Sequence, residues 1–86
     1  MAFSDKELSM KSQAVNSNGQ VFNIDSNVFL IDRKTKKHHV AVIKSFYVDS
    51  NGNAAAFCYV VTRADPKTAA FVINDFPYFD APGETA

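Results

Sequence analysis

Cys58 and the adjacent pair His38 and His39 are the residues whose types could support nucleophilic catalysis or metal binding. A thiol and an imidazole must lie about 3 Å apart to act together. The hairpin predicted below places Cys58 opposite Ser45, roughly 20 Å along the strand from His39. Neighbouring residues on a strand point to opposite faces, so His38 and His39 cannot ligate one ion. We therefore expect a structural Cys58, no metal site and no cofactor.

The carboxylates and glycines also lack a catalytic pattern. Most aspartates fall in predicted turns, where the Asp side chain bonds its own backbone. The three glycines are isolated from one another and cannot form a phosphate-binding loop. We therefore expect that the protein is not an enzyme, with a small-ligand site or an enzyme as minor alternatives.

Basic residues are concentrated in the middle of the chain. The cluster comprises Arg33, Lys34, Lys36, Lys37 and Lys44. Residues 33–45 carry a charge of +5, against −2 for residues 1–32 and −3 for residues 46–86. A basic hairpin loop with Tyr47 or Tyr59 nearby predicts phosphate contact and base stacking. The alternative is a solvated turn whose lysines discourage edge pairing. Because the net charge is zero, nucleic-acid binding is the second hypothesis.

An aromatic segment lies close to the C-terminus. Phe76, Tyr78 and Phe79 surround Pro77, which blocks regular strand pairing. Aromatic residues are enriched in the cores of protein interfaces. We therefore predict that these three aromatics, together with Tyr47, contact a protein partner. The alternative is that the segment packs over the open end of a barrel.

Local signals predict the elements that would position these residues. Ser4 and Glu7 form a capping box, and Phe3 and Leu8 occupy the hydrophobic-staple positions of a helix start. A short helix is therefore expected over residues 5–15. From Gln20 onward the apolar period changes to two, which is typical of strands.

Two long apolar runs, residues 39–48 and 54–63, flank Asn51-Gly52, the preferred dipeptide of a hairpin turn. Centring the turn there predicts that Phe46 faces Phe57 and that Lys44 faces Tyr59. Both faces of this hairpin are apolar, so it must be covered on both sides, curl into a barrel, or offer one face to a partner.

Residues 66–74 fit two structures. Asp65 and Pro66 suit either a helix start or a turn, and the spacing of the following apolar residues fits a helix. The run Phe71-Val72-Ile73 is strand-like, and a strand over residues 69–74 is favoured.

These elements predict a mainly β (α+β) fold. We expect a four- to five-stranded antiparallel sheet curled into a small SH3-like barrel, with a short N-terminal helix. The alternative is a cystatin-like helix packed on a curved antiparallel sheet. Residues 1–80 would form one domain and residues 81–86 a flexible tail.

A resemblance supports the barrel. Residues 26–30, 40–43 and 59–66, with Gly52, resemble small SH3-like barrels of the Tudor and BAH (bromo-adjacent homology) type, although tryptophan is absent. The resemblance implies the fold, and no aromatic cage is carried over to this chain.

Length, composition and cysteine count limit the functions that the sequence allows. The 86 residues are 47% apolar and 21% charged, which is ordinary globular usage. A single cysteine, no export signal and no long apolar run predict a cytoplasmic protein without a membrane segment. The first hypothesis is a small non-catalytic protein-binding module, such as an adaptor or inhibitor from a phage or mobile element. A homodimer is compatible with every hypothesis.

Overall fold

The computed structural model describes residues 12–64 and 67–80, all in strands, turns and connections. The strands are β1 Gln13–Val15, β2 Val21–Asn23, β3 Asn27–Asp32, β4 His38–Val48, β5 Ala54–Val60, β6 Thr68–Val72 and β7 Tyr78–Phe79. Within these residues no helix is long and apolar enough to cross a membrane.

The strands form two sheets. β1 and β2 pair with each other, and the larger sheet has the order β6-β5-β4-β3-β7. Its pairs are antiparallel except for β3 and β7, which run parallel. The larger sheet curls so that its edge strands β6 and β7 approach each other, giving a small, nearly closed barrel. The prediction of a mainly β protein built on an antiparallel, barrel-like sheet is confirmed at this level.

The predicted N-terminal helix is not found where the structure describes the chain. Gln13–Val15 is a strand, in which Ala14 pairs with Phe22 of β2 and both side chains are buried. Strand pairing satisfies the backbone of a segment whose apolar stripe is too weak to hold a helix. The capping box at Ser4 and Glu7 lies outside the described residues, as does the predicted tail over 81–86. The cystatin-like alternative, which needs that helix, has no support in the described part.

The β4–β5 hairpin forms at the predicted turn but with a different register. Asp49 donates its N–H to the Asn53 carbonyl, and Gly52 donates to the Asp49 carbonyl. Gly52 has a φ of 81°, which is the left-handed conformation. The connection is therefore a three-residue loop with glycine after the turn, and not a two-residue Asn-Gly turn. The Asp49 carboxylate accepts N–H bonds from Asn51 and Asn53 and holds this loop.

The predicted strand partners are consequently wrong. Phe46 faces Ala56, and Phe57 faces Ser45. The register shifts again between Ile43 and Ser45, where Lys44 forms a bulge, so that Ile43 faces Cys58. The bulge reverses the alternation of β4, and Ile43 and Phe46 therefore point to the same side.

The inner face of the barrel forms the core. Its members alternate along each strand with outward-facing residues. The most deeply buried are Leu30, Ala41, Ile43, Phe46, Ala56, Cys58, Val60, Ala69, Phe71 and Phe79. Alanines lie opposite large rings, as at the Phe46–Ala56–Phe71 row across three strands, which lets a narrow barrel accommodate them.

The segment that fitted both a helix and a strand contains β6. Thr68–Val72 is a strand paired with β5, and turns follow it before β7. Val60 donates its N–H to the Lys67 carbonyl at the start of this pairing. The preference for a strand is confirmed, with bounds earlier than the predicted 69–74.

Replacing Gly52 by alanine should lower the free energy of unfolding by about 1–2 kcal/mol, because a Cβ is disfavoured in the left-handed conformation. No heavy atom lies within 4 Å of the position a Cβ would take, so the cost is conformational and not steric. Urea unfolding measures it. Ser50→Ala in the same turn is the matched control, and an equal cost for both variants would contradict the prediction.

Candidate functional site

Cys58 is a core residue. Its thiol is buried and its Sγ donates to the Ala69 carbonyl at 3.4 Å. Burial raises the pKa of Cys58 from 9.0 to about 12, so the thiolate nucleophile is absent at neutral pH. The register that pairs Cys58 with Ile43 leaves His39 four residues further along β4, roughly 13 Å away.

His39 is engaged elsewhere. Its Nδ1 lies 3.0 Å from the Thr62 hydroxyl, which also accepts the N–H of Val40. Its ring meets Phe79 edge-on with centroids 5.9 Å apart. Among the described residues no group of three or more His, Cys, Asp or Glu side chains could hold a metal ion.

The predicted basic cluster is divided between two places. Arg33, Lys34, Lys36 and Lys37 lie in or beside the β3–β4 turn. Lys44 lies at the bulge of β4, seven residues beyond Lys37 and roughly 23 Å along the strand. One continuous phosphate-binding surface over all five residues is therefore not formed.

Carboxylates neutralise two of these basic residues. Arg33 contacts Asp75 at 3.5 Å and Asp80 at 3.3 Å. Lys44 Nζ lies 3.3 Å from the Asp25 carboxylate. These exposed pairs are worth little in stability, but they reduce the positive potential available to a phosphate.

The β3–β4 turn itself is held by an aspartate. Asp32 is buried, and its Oδ1 accepts the N–H groups of Lys34 and Thr35. Lys36, with a φ of 64°, donates its N–H to the Asp32 carbonyl. Part of the lysine run is therefore in a turn whose shape Asp32 specifies.

The aromatic segment at the C-terminus mostly belongs to the core. Phe79 is 1% exposed. Phe76 is half-buried and packs against Phe22 and Phe71 at centroid distances of 5.0 and 5.9 Å. The predicted partner contact by Phe79 does not fit this position, because parallel pairing of β7 with β3 turns its ring inward. Tyr78 alone in this set is exposed, with Arg33 and Lys36 each 5.8 Å from its ring centre.

Four exposed apolar residues lie on the outer face of the barrel, and among them only Tyr59 is predicted from the sequence as a site residue, for base stacking. Phe29 is 68% exposed, Val61 51%, Phe57 41% and Tyr59 38%. Phe29 faces Val40 across the β3–β4 pair, and Tyr59 faces Val42 across the β4–β5 pair. Val40 and Val42 are half-buried.

These residues lie on the outer face of the sheet on both sides of β4, and we call this apolar surface the outer-face groove. It comprises Val40 and Val42 on β4, Phe29 on β3, and Tyr59 and Phe57 on β5. In the sequence, this surface is indicated by the second apolar face of the β4–β5 hairpin. The predicted register placed Phe46, a core residue, on the same face as Phe57 and Tyr59, so the sequence did not show that Phe57 and Tyr59 face outward.

Tyr47 continues the same outer face toward the hairpin end and is half-buried. Its pKa is raised above 10.0, first by burial, then by the nearby Asp49 and Cys58. Of the four predicted partner-binding aromatics, the structure leaves Tyr47 half-buried and Tyr78 41% exposed, at separate places on the surface.

No protein-family model matches the chain, and no curated protein or solved structure is significantly similar to it.

The Cys58 thiol should react with a disulfide reagent at pH 8 about 100-fold more slowly in the folded protein than in urea, because burial keeps it protonated and covered. The unfolded thiol ionises near 9.0 and the folded one near 12, so raising the pH through this window favours unfolding. Absorbance of the released thiolate measures both rates. Fast labelling of the native protein would contradict the buried position.

Two neighbouring aromatics should differ sharply in their effect on stability. Phe79→Ala removes a buried ring and should cost about 3–5 kcal/mol, whereas Tyr78→Ala should cost less than about 1 kcal/mol. Thermal and urea unfolding measure both. If Phe79→Ala does not fold, Phe79→Leu, with an expected cost near 1 kcal/mol, replaces it. Equal costs at the two positions would contradict the inward orientation of Phe79.

Proposed function

We propose that this protein is a non-catalytic protein-binding module that uses its outer-face groove. The observation that carries the proposal is the exposure of Phe29 on β3 and of Phe57 and Tyr59 on β5, all on the same outer face of the sheet. A fully exposed aromatic side chain presents about 150–250 Å². The exposed fractions of the groove residues, together with that of Val61, therefore add up to about 400 Å² of apolar surface. The largest apolar patch on a typical monomer is about 300–600 Å² and is often functional, which supports an interaction site on this face.

The chemistry of the groove favours a protein over a nucleic acid. Strands β3, β4, β5 and β6 contain two charged residues, Asp32, which points inward, and Lys44, which is paired with Asp25. An interface core depleted of charge and rich in Phe and Tyr is typical of protein recognition. A nucleic-acid surface would instead combine its stacking rings with basic side chains.

Tyr47 and Tyr78 remain proposed contacts at the margins of this surface, because each keeps exposed ring area. The same proposal includes three predictions that rest on the sequence: an SH3-like barrel, a cytoplasmic location, and an adaptor or inhibitor role in a phage or mobile element.

Nucleic-acid binding through the β3–β4 turn is the second candidate. Within the described residues, Lys34, Lys36 and Lys37 form no ion pair. Lys36 lies over the exposed ring of Tyr78, so a cation and a stacking surface are adjacent. Arg33 is paired with Asp75 and Asp80, so it contributes less positive potential to this turn than its position suggests.

Capture of a protein by the immobilised chain from lysate should require the groove. We expect a stoichiometric partner that survives nuclease and high salt, and at least a ten-fold loss of capture with Phe57→Ser/Tyr59→Ser. The matched control is Val15→Ser/Val21→Ser, since these valines are 53% and 51% exposed on the other sheet. Loss with the control, or capture insensitive to both variants, would contradict binding through the groove.

Binding of labelled single-stranded DNA or RNA tests the second candidate. If the turn contacts phosphates, affinity measured by fluorescence anisotropy should fall steeply with salt, and Lys36→Glu/Lys37→Glu should abolish it. Lys67→Glu, a charge change just before β6, is the control. Absent or salt-insensitive binding would exclude this candidate.

A further inference from the structure

We propose that Asn51 is a site of spontaneous deamidation, and that the native fold directs this reaction to Asn51 in preference to Asn18. Each of these asparagines follows a serine and precedes a glycine, in the segments Ser17-Asn18-Gly19 and Ser50-Asn51-Gly52. The reaction is separate from the proposed protein binding, because it needs only the loop itself and water.

Deamidation is an intramolecular attack followed by hydrolysis. The peptide nitrogen of Gly52 attacks the side-chain carbonyl carbon of Asn51 and loses its proton to water. The bond from that carbon to the side-chain amide nitrogen breaks, and this nitrogen takes up a proton and leaves as ammonia. A water molecule then opens the cyclic imide at either carbonyl, which gives aspartate or isoaspartate at position 51. Asparagine is among the thermolabile residues, and glycine hinders the attack least because it has no Cβ.

Two loops of the same geometry contain these asparagines. We call residues 49–53 the hairpin-end loop and residues 16–20 the docked loop. The Oδ1 atom of the first residue accepts the N–H groups of the third and fifth residues, at 2.9 and 2.8 Å in the hairpin-end loop and at 3.0 and 2.9 Å in the docked loop. In each loop the glycine has a φ of 81° and donates its N–H at 3.0 Å to the carbonyl of the first residue.

The surroundings of the two glycines are also alike. No heavy atom lies within 4 Å of the position that a Cβ would take at Gly19 or Gly52. Asn18 and Asn51 are both exposed to water. The local difference is the first residue of the loop, which is Asn16 in one and Asp49 in the other. A comparison of the two rates in the unfolded chain controls for this difference.

The loops differ in how the rest of the protein holds them. Asn16 is buried, and its Nδ2 donates to the Ile73 carbonyl at 3.0 Å. The N–H of Ser17 donates to Asn74 Oδ1 at 2.8 Å. The docked loop is therefore fixed to the residues that follow β6. Within the described part of the chain, the hydrogen bonds of residues 50–53 remain inside the hairpin-end loop.

These two anchoring bonds control access to the reacting geometry. The nitrogen and the carbonyl carbon must approach to about 3–3.5 Å, and the glycine N–H must leave the carbonyl to which it is bonded. Each loop must open locally to reach this arrangement. Opening the docked loop also breaks both anchoring bonds, which should lower its open population at least about five-fold relative to the hairpin-end loop.

Conversion of Asn51 changes the end of the β4–β5 hairpin. Aspartate places a second carboxylate two residues from Asp49, and the chain then has 10 acidic residues against 9 basic ones in place of 9 against 9. Isoaspartate adds one carbon to the main chain of the loop, which conflicts with the bond from the Gly52 N–H to the Asp49 carbonyl. Both products should therefore weaken the connection between β4 and β5.

Peptide mapping by mass spectrometry tests the proposal. The protein is incubated in mildly alkaline buffer, folded or in urea, and digested under acidic conditions that stop the reaction. Chromatography separates the aspartate and isoaspartate peptides. In the folded protein Asn51 should convert at least about five-fold faster than Asn18, and in urea the two rates should become similar. Equal rates in the folded protein, faster conversion of Asn18, or a difference that persists in urea would overturn the proposal.

Asn74→Ala tests the role of the anchoring bonds. This variant removes the acceptor of the Ser17 N–H and should raise the rate at Asn18. Asn51 forms no contact with Asn74 in the described structure, so its rate is the internal control and should stay unchanged. Circular dichroism verifies that the variant folds. An unchanged rate at Asn18, or an equal increase at both sites, would contradict protection by docking.

Discussion

The pairing of β4 with β5 imposes the constraint on which the remaining structure depends, because β4 must bury Ile43 and Phe46 on the same side. A regular strand points residues three apart to opposite faces. The bulge at Lys44 removes this conflict. Just before β3, Asp25 donates its N–H to the Ile43 carbonyl, and Ile43 donates its N–H to the Ser26 carbonyl. Asp25 has a φ of 66°, in the left-handed region. The bulge thus determines which face of the hairpin forms the core.

Once that face is chosen, the supply of aromatic rings exceeds what a narrow barrel can enclose. Phe46, Phe71 and Phe79 occupy the interior, with Ala56 opposite both of the first two. Phe29, Phe57 and Tyr59 are left outside on the reverse face of the same sheet, on strands β3 and β5. A chain of 86 residues has a high ratio of surface to volume, so apolar residues beyond the capacity of its core must be exposed or covered by another molecule.

The charged residues follow a separate pattern that keeps them away from the groove. Arg33 bridges Asp75 and Asp80 beside β7, and Lys44 bridges to Asp25 at the start of β3. The core and the outer face therefore remain almost free of charge, while Lys34, Lys36 and Lys37 lie in or next to the β3–β4 turn. This segregation favours an apolar partner for the sheet and explains why a basic cluster in sequence does not become one basic surface.

Local chemistry in the sequence determined the β class, the turn at residues 49–53 and an inert Cys58, because β-branched alternation, Asn-Gly preference and an apolar surrounding act over a few residues. Tertiary structure alone decided the register, the strand at Gln13–Val15, and which aromatics are buried. A strand that is apolar on both faces has the same local propensities whichever face turns inward. The exposed position of Phe57 and the buried position of Phe79 therefore follow only from the bulge, the strand pairing and the volume of the barrel together.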